Sequence, residues 1–231
     1  QHATYLAMHK HMDDGVGRIL EALDENGLAD NTVVIFTSDN GGYGNHEFGG
    51  NHFGGNYPLK GHKHMYMEGG IREPMLVRWP GVIEPGATSD EPVHQVDFFP
   101  TFLELTGSAA PADQVLDGVS LVDLWRSSGR EGNGRKNLFW HFPGYTQFRS
   151  GRSYNGYAWQ RPCSIVRSGD FKLIEWLEDA RLELYNLNAD PGELNNIVTV
   201  MPEKAKELHA ILYKWREEND VPMPGPRVCG G

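Results

Sequence analysis

The sequence predicts an α/β protein that closes with a small antiparallel sheet packed by a helix. Three observations carry this. A long amphipathic helix runs directly into a β-branched strand, the repeating half-turn of α/β folds. A glycine- and histidine-rich stretch without aliphatic periodicity then interrupts the regular structure. The final third is a series of short strands divided by turn residues and followed by a second amphipathic helix.

Taken in order, Tyr5, Met8, Met12, Val16, Ile19, Leu20 and Leu23 recur at spacings of three and four, which places them on one helical face. Asn26-Gly27 stops that helix, because glycine accepts the left-handed conformation a helix end requires. Thr32–Thr37 is an apolar, β-branched run, predicted as a strand buried on both faces. Residues 41–70 hold ten glycines, four histidines (His46, His52, His62, His64) and two lysines. A loop of that length inside a compact domain is usually functional, and its five aromatic residues argue against disorder. Met75–Trp79 is a strand closed by Pro80-Gly81. Asp97 opens a helix to Leu105, with Pro100 in the first turn, where its missing N–H costs little. Ser120 caps a short helix through Trp125. Ser164–Arg167, Phe171–Trp176 and Leu182–Leu187 form a meander, and Pro202 opens the last helix, to about Glu217.

Composition narrows the function. The 231 residues, 39% hydrophobic, suffice for a real core, and a formal charge of −10 without a basic stripe argues against nucleic acid. No apolar run approaches the ~20 residues that span a bilayer. The two cysteines, Cys163 and Cys229, define no disulfide framework. The chain begins at Gln1 and enters a helical pattern almost at once, so it is expected to be part of a longer polypeptide.

Two segments carry candidate chemistry. Ser38-Asp39-Asn40-Gly41 follows the first strand at its carboxyl end, where ligands collect in open α/β sheets. Asp and Asn offer the oxygen ligands that a hard cation such as Ca²⁺ takes, although the same tetrapeptide also makes an ordinary Asx turn. Downstream, Lys60 and Lys63 lie three apart among glycines and could hold a tetrahedral anion. Glu68 and Arg72 are expected to form a structural ion pair. A zinc site built from the histidines lacks a completing carboxylate or cysteine.

The ordered set of these segments resembles the sulfatase family of the alkaline phosphatase superfamily, over about residues 5–218. The carriers are Asp13–Leu20, Thr32–Gly41, Lys63 ahead of Glu68-Gly69-Gly70, Val96–Thr101, and Ile165–Asn188. The resemblance implies an alkaline-phosphatase-like α/β sandwich with a mixed sheet. Residues 1–135 would be the C-terminal part of its catalytic domain, 136–220 a small α+β subdomain and 221–231 an irregular tail. It implies that Asp39 and Asn40 are half of a Ca²⁺ site, that Lys63 binds and stabilises the sulfate, and that Lys60 assists. His141, in Phe139–Pro143, would contact substrate. A sulfated small molecule or carbohydrate would be the substrate, and a periplasmic, secreted or lysosomal location would follow.

The nucleophile of this family is a formylglycine made from Cys-x-Pro-x-Arg. Cys163 is followed by Ser164-Ile165 and Cys229 by two glycines, so neither fits. The formylglycine and the other cation ligands are therefore expected upstream, on the remaining N-terminal portion of the protein, and this chain alone is expected to be inactive. Two other readings stand beside it. One is a phosphodiesterase or phosphonate hydrolase of the superfamily, against which Asn40 speaks because zinc- or manganese-using relatives tend to place His there. The other is a non-catalytic sulfate-ligand-binding homologue.

Overall fold

A computed structural model describes residues 2–43, 56–146 and 160–225. The chain divides into two compact units, residues 1–37 with 75–135 and residues 38–74 with 136–231. Residues 38–74 thus cluster with the C-terminal part of the chain rather than with the rest of 1–135.

The first unit opens with α1 (His2–Glu25). It stops where expected, with Gly27 at φ 65° and the Leu28 N–H returning to the Leu23 carbonyl at 2.9 Å. β1 (Val34–Thr37) pairs antiparallel with β2 (Met75–Arg78), Ile35 opposite Val77 and Phe36 opposite Leu76. Ile35, Met75 and Val77 pack on Leu121, Leu124 and Trp125, the last two belonging to the short helix Val122–Arg126. The other face carries Phe36, 36% exposed, and Leu76, 62% exposed. The strand is therefore covered on one face, not two, because within this unit only one layer packs against it. A helix, Phe98–Leu105, follows a 3-10 turn at Gln95–Asp97. Asp97 is fully buried, accepting from the His94 and Val119 backbone N–H groups and pairing with Arg135.

The second unit is a four-stranded antiparallel meander, β3 (Asn137–Phe142), β4 (Cys163–Ser168), β5 (Phe171–Trp176) and β6 (Arg181–Asn186), in that spatial order. β3 was not expected from the sequence. Left-handed residues close the two tight turns, Gly169 at φ 55° and Ala180 at φ 55°. Alternation sends Val166, Leu173 and Leu184 to one face, where Leu208 and Leu212 of the helix Pro202–Glu218 cover them. Phe139 stacks on Trp215 of that helix, ring centres 4.7 Å apart and planes 2° from parallel. Cys163, Ile165, Ile174, Trp176 and Tyr185 point to the opposite face, which is covered by Met67 and Tyr66 from the glycine-rich stretch. The loop with the candidate chemistry is thus pinned to a fully formed sheet. Every strand pairing among the described residues is antiparallel.

Candidate active site

The site is built by backbone meeting backbone. Directly after β1 the chain turns through Ser38-Asp39-Asn40, with the Ser38 hydroxyl donating to the Asn40 carbonyl at 2.9 Å. The Gly41 N–H then donates to the Gly70 carbonyl at 3.0 Å, and the Lys63 N–H donates to the Gly42 carbonyl at 3.0 Å. The turn carrying Asp39 and Asn40 and the loop carrying Lys63 are therefore joined within three residues of each candidate side chain. Asn56 reinforces the joint, accepting from the Gly42 N–H at 2.9 Å and donating to the Gly42 and Gly61 carbonyls, each at 3.1 Å.

Only glycine permits such an approach. A Cβ on Gly41 would lie 1.9 Å from the Gly69 carbonyl oxygen, and one on Gly70 would lie 2.0 Å from the Met65 carbonyl oxygen. Both distances are far inside van der Waals contact with rigid backbone. Gly41 is thus a packing contact between the two halves of the candidate site, and Gly70 one within the loop that carries Lys63.

The donor set suits a hard cation. Asn40 directs its amide N–H to the Gly41 carbonyl at 3.1 Å, leaving its Oδ1 as the end that can coordinate. Asp39 is exposed, and its charge, after burial, helps raise the Glu73 carboxyl above the ordinary carboxylate range. Two acidic side chains therefore lie close enough here to interact. One carboxylate and one amide oxygen fit as part of a Ca²⁺ shell, which needs six to eight oxygens. No group of three or more His, Cys, Asp or Glu capable of holding a metal occurs among the described residues.

The other candidates have definite surroundings. Lys60 donates to the Glu193 carbonyl at 3.2 Å, its ammonium 5.8 Å from the centre of the Tyr185 ring. His141 Nδ1 lies 2.7 Å from the Ser164 hydroxyl and Nε2 lies 2.9 Å from the Pro222 carbonyl. Arg216 donates to the same Ser164 oxygen at 3.2 Å. A carbonyl can only accept, so Nε2 donates to Pro222. To touch a substrate through a ring nitrogen, His141 would have to give up one of these partners, whereas the Lys60 ammonium carries three donors and gives one to Glu193. His62 Nδ1 donates to the Lys63 carbonyl at 2.7 Å, and His94 accepts from the Val96 N–H at 3.3 Å as a helix cap. His46, His52 and Cys229 lie outside the described residues.

Two expectations change or sharpen. Glu68 does not pair with Arg72; its carboxylate meets the Lys172 ammonium at 2.9 Å. A pairing across 104 residues leaves no trace in local sequence, whereas one at i,i+4 does. Cys163 is the first residue of β4, 1% exposed, and burial pushes its thiol up to about 12, as befits a core residue rather than a nucleophile. Asn56, Glu73, Lys172 and Glu193 were not singled out as site residues by the sequence.

Comparison with known proteins agrees with this architecture. A family model described as Sulfatase matches residues 1–108, and one described as N-sulphoglucosamine sulphohydrolase, C-terminal, matches residues 55–218. A sulfatase of Formosa agariphila is 35% identical over 241 residues, covering 95% of this chain and 40% of its own length. A solved structure of a protein in complex with its substrate D-glucosamine-2-N,6-O-disulfate has a TM-score of 0.69 at 29% identity, over 90% of this chain and 39% of that one. Phosphonate monoester hydrolases share the fold; that of Agrobacterium radiobacter has a TM-score of 0.60 at 26% identity, over 89% of this chain and 39% of that one. The chain spans about 40% of the length of these relatives. On the match across residues 55–218, which takes in most of its length, the chain belongs to the sulfatase family.

Proposed function

We propose that this chain supplies the downstream half of a sulfate ester hydrolase site. Asp39 and Asn40 would hold one Ca²⁺ through oxygen, and the Lys63 ammonium would bind a sulfate oxygen and stabilise the charge that grows there as the ester bond breaks. The bound cation would supply Lewis-acid polarisation of the sulfate. The observation that carries the reading is the direct bonding of the two loops, Gly41 to Gly70 and Lys63 to Gly42, which supports a common ligand for the three side chains. Asn40, a neutral oxygen donor, favours this over a phosphonate hydrolase, whose softer metals prefer imidazole.

The nucleophile and the remaining cation ligands are assigned to a segment of the protein outside these residues, and the chain alone is inactive. That segment would also cover the apolar face of α1, where Met8 and Met12 are 66% and 51% exposed. A sulfated carbohydrate is the favoured substrate class, on the strength of the disulfated glucosamine bound by the structural neighbour.

In the complete enzyme, Lys63→Ala should lower turnover by roughly 10²-fold or more, the scale for removing a charge stabiliser. Asp39→Ala should weaken calcium binding in calorimetry. Turnover unchanged by the first substitution would remove Lys63 from the site, and unchanged affinity after the second would remove Asp39 from the cation.

A further inference from the structure

Behind the candidate site lies a group of charges that the proposed reaction does not use. Lys172, the second residue of β5, is 0% exposed. Its ammonium lies 3.0 Å from the Tyr66 carbonyl, 2.9 Å from Glu68 Oε1 and 2.9 Å from Glu193 Oε1. The first two contacts are hydrogen bonds, and the third, to Glu193 Oε1, is an ion pair without hydrogen-bond geometry. Glu193 Oε2 accepts the Glu68 backbone N–H at 2.6 Å, and the Glu193 carbonyl accepts Lys60 at 3.2 Å. Glu68 and Glu193 are 2% and 0% exposed. Glu193 adopts φ 51°, a left-handed conformation that a non-glycine residue takes only when its surroundings impose it.

Burying two carboxylates around one ammonium is costly, and apolar residues of the same volume stabilise a fold equally well or better. Stability therefore does not explain the cluster. Its connections do. Tyr66 and Glu68 flank Met67, and Glu68 opens the short helix Glu68–Ile71, whose Gly70 carbonyl receives the Gly41 N–H. The Gly69 N–H returns to the Lys60 carbonyl at 2.7 Å. Of the bonds that set the Lys63 loop against the Asp39 turn, the one from Gly41 thus ends on Gly70, two residues after Glu68, and Lys63 itself lies three residues after Lys60, which Glu193 holds, and three before Tyr66, which Lys172 holds.

We infer that Glu68, Lys172 and Glu193 are positioning residues, a buried ionic clamp that fixes the height and register of the Lys63 loop against the turn carrying Asp39 and Asn40. The catalytic part of this inference rests on the reading that Lys63 meets the sulfate; the mechanical part does not. A salt cluster does this better than an apolar contact because two directional bonds and a second ion pair meet at one nitrogen, so the loop cannot slide without leaving a buried charge unpaired.

The test uses the full-length protein. Lys172→Met alone strands two carboxylates and can abolish folding, so the informative variant is the neutral triple Glu68→Gln, Lys172→Met, Glu193→Gln, which keeps an acceptor for the Glu68 N–H. Hydrogen exchange should accelerate about tenfold or more at the Gly41, Lys63 and Gly69 amides, while the amides of β4 and β6 keep their protection. Turnover of 4-nitrophenyl sulfate should fall about tenfold or more in kcat with a smaller change in KM, the mark of misplaced rather than missing groups. Unchanged exchange at the three loop amides overturns the clamp. Equal acceleration in β4 and β6 also overturns it, in favour of a role in stability alone. Lys63→Ala, assayed beside it, reports separately on the sulfate reading, since the exchange result stands without any turnover.

Discussion

The two sheets differ in what covers them. The meander β3–β6 buries both faces, one beneath Leu208 and Leu212, the other beneath Met67 and Tyr66. The pair β1–β2 is packed on one face only, and α1 leaves Leu6, Met8, Met12 and Ile19 between 51% and 66% exposed. Yet α1 has the more regular apolar periodicity in the sequence. Periodicity therefore declares a face that needs a partner, and the rest of the fold decides whether this chain provides it.

Substitutions in the two regions should separate accordingly. Leu208→Ala, at a site with 0% exposure, should cost about 2–5 kcal/mol in chemical denaturation. Gly70→Ala should follow at about 1–3 kcal/mol, because the new methyl meets backbone that cannot move aside. Glu73→Gln should have a smaller, pH-dependent effect. Burial and the Asp39 charge raise the Glu73 pKa, so the folded state holds that proton more tightly than the unfolded one. The resulting penalty is complete above the folded pKa and is relieved as pH falls through it towards the unfolded value. The variant should thus melt higher than the parent at neutral pH, with the gap closing near about pH 4. Met12→Ser should be the mildest, within about 0.5 kcal/mol for this chain alone. A large loss there would mean that α1 is already packed, and the contrast between the regions would disappear.

Much of this was legible in the sequence. The strands β4 to β6 declare themselves through alternation and through turn residues such as Gly169, and the last helix through Pro202 and its Leu208–Leu212 stripe. β3 escaped because Asn137–Phe142 has little alternation to mark it, being half-covered along most of its length. Asp39, Asn40 and Lys63 were singled out as candidates by the oxygen ligands at the end of the first strand, the lysines among glycines and the order of the motifs. Lys172 was invisible as a buried charge. In Phe171-Lys172-Leu173 it reads as the solvent side of an alternating strand, and its partners lie at Glu68 and Glu193. Ion pairs that depend on folding, not on spacing, are the part that a single sequence withholds.

The burial of Cys163 has a practical consequence. With its acidity displaced to about 12, roughly one thiol in ten thousand is ionised at pH 8, and alkylating reagents that need the thiolate should pass it by. Modification of that sulfur then becomes a clock for the opening of the meander, timing how often β4 peels from its neighbours with no label to be introduced.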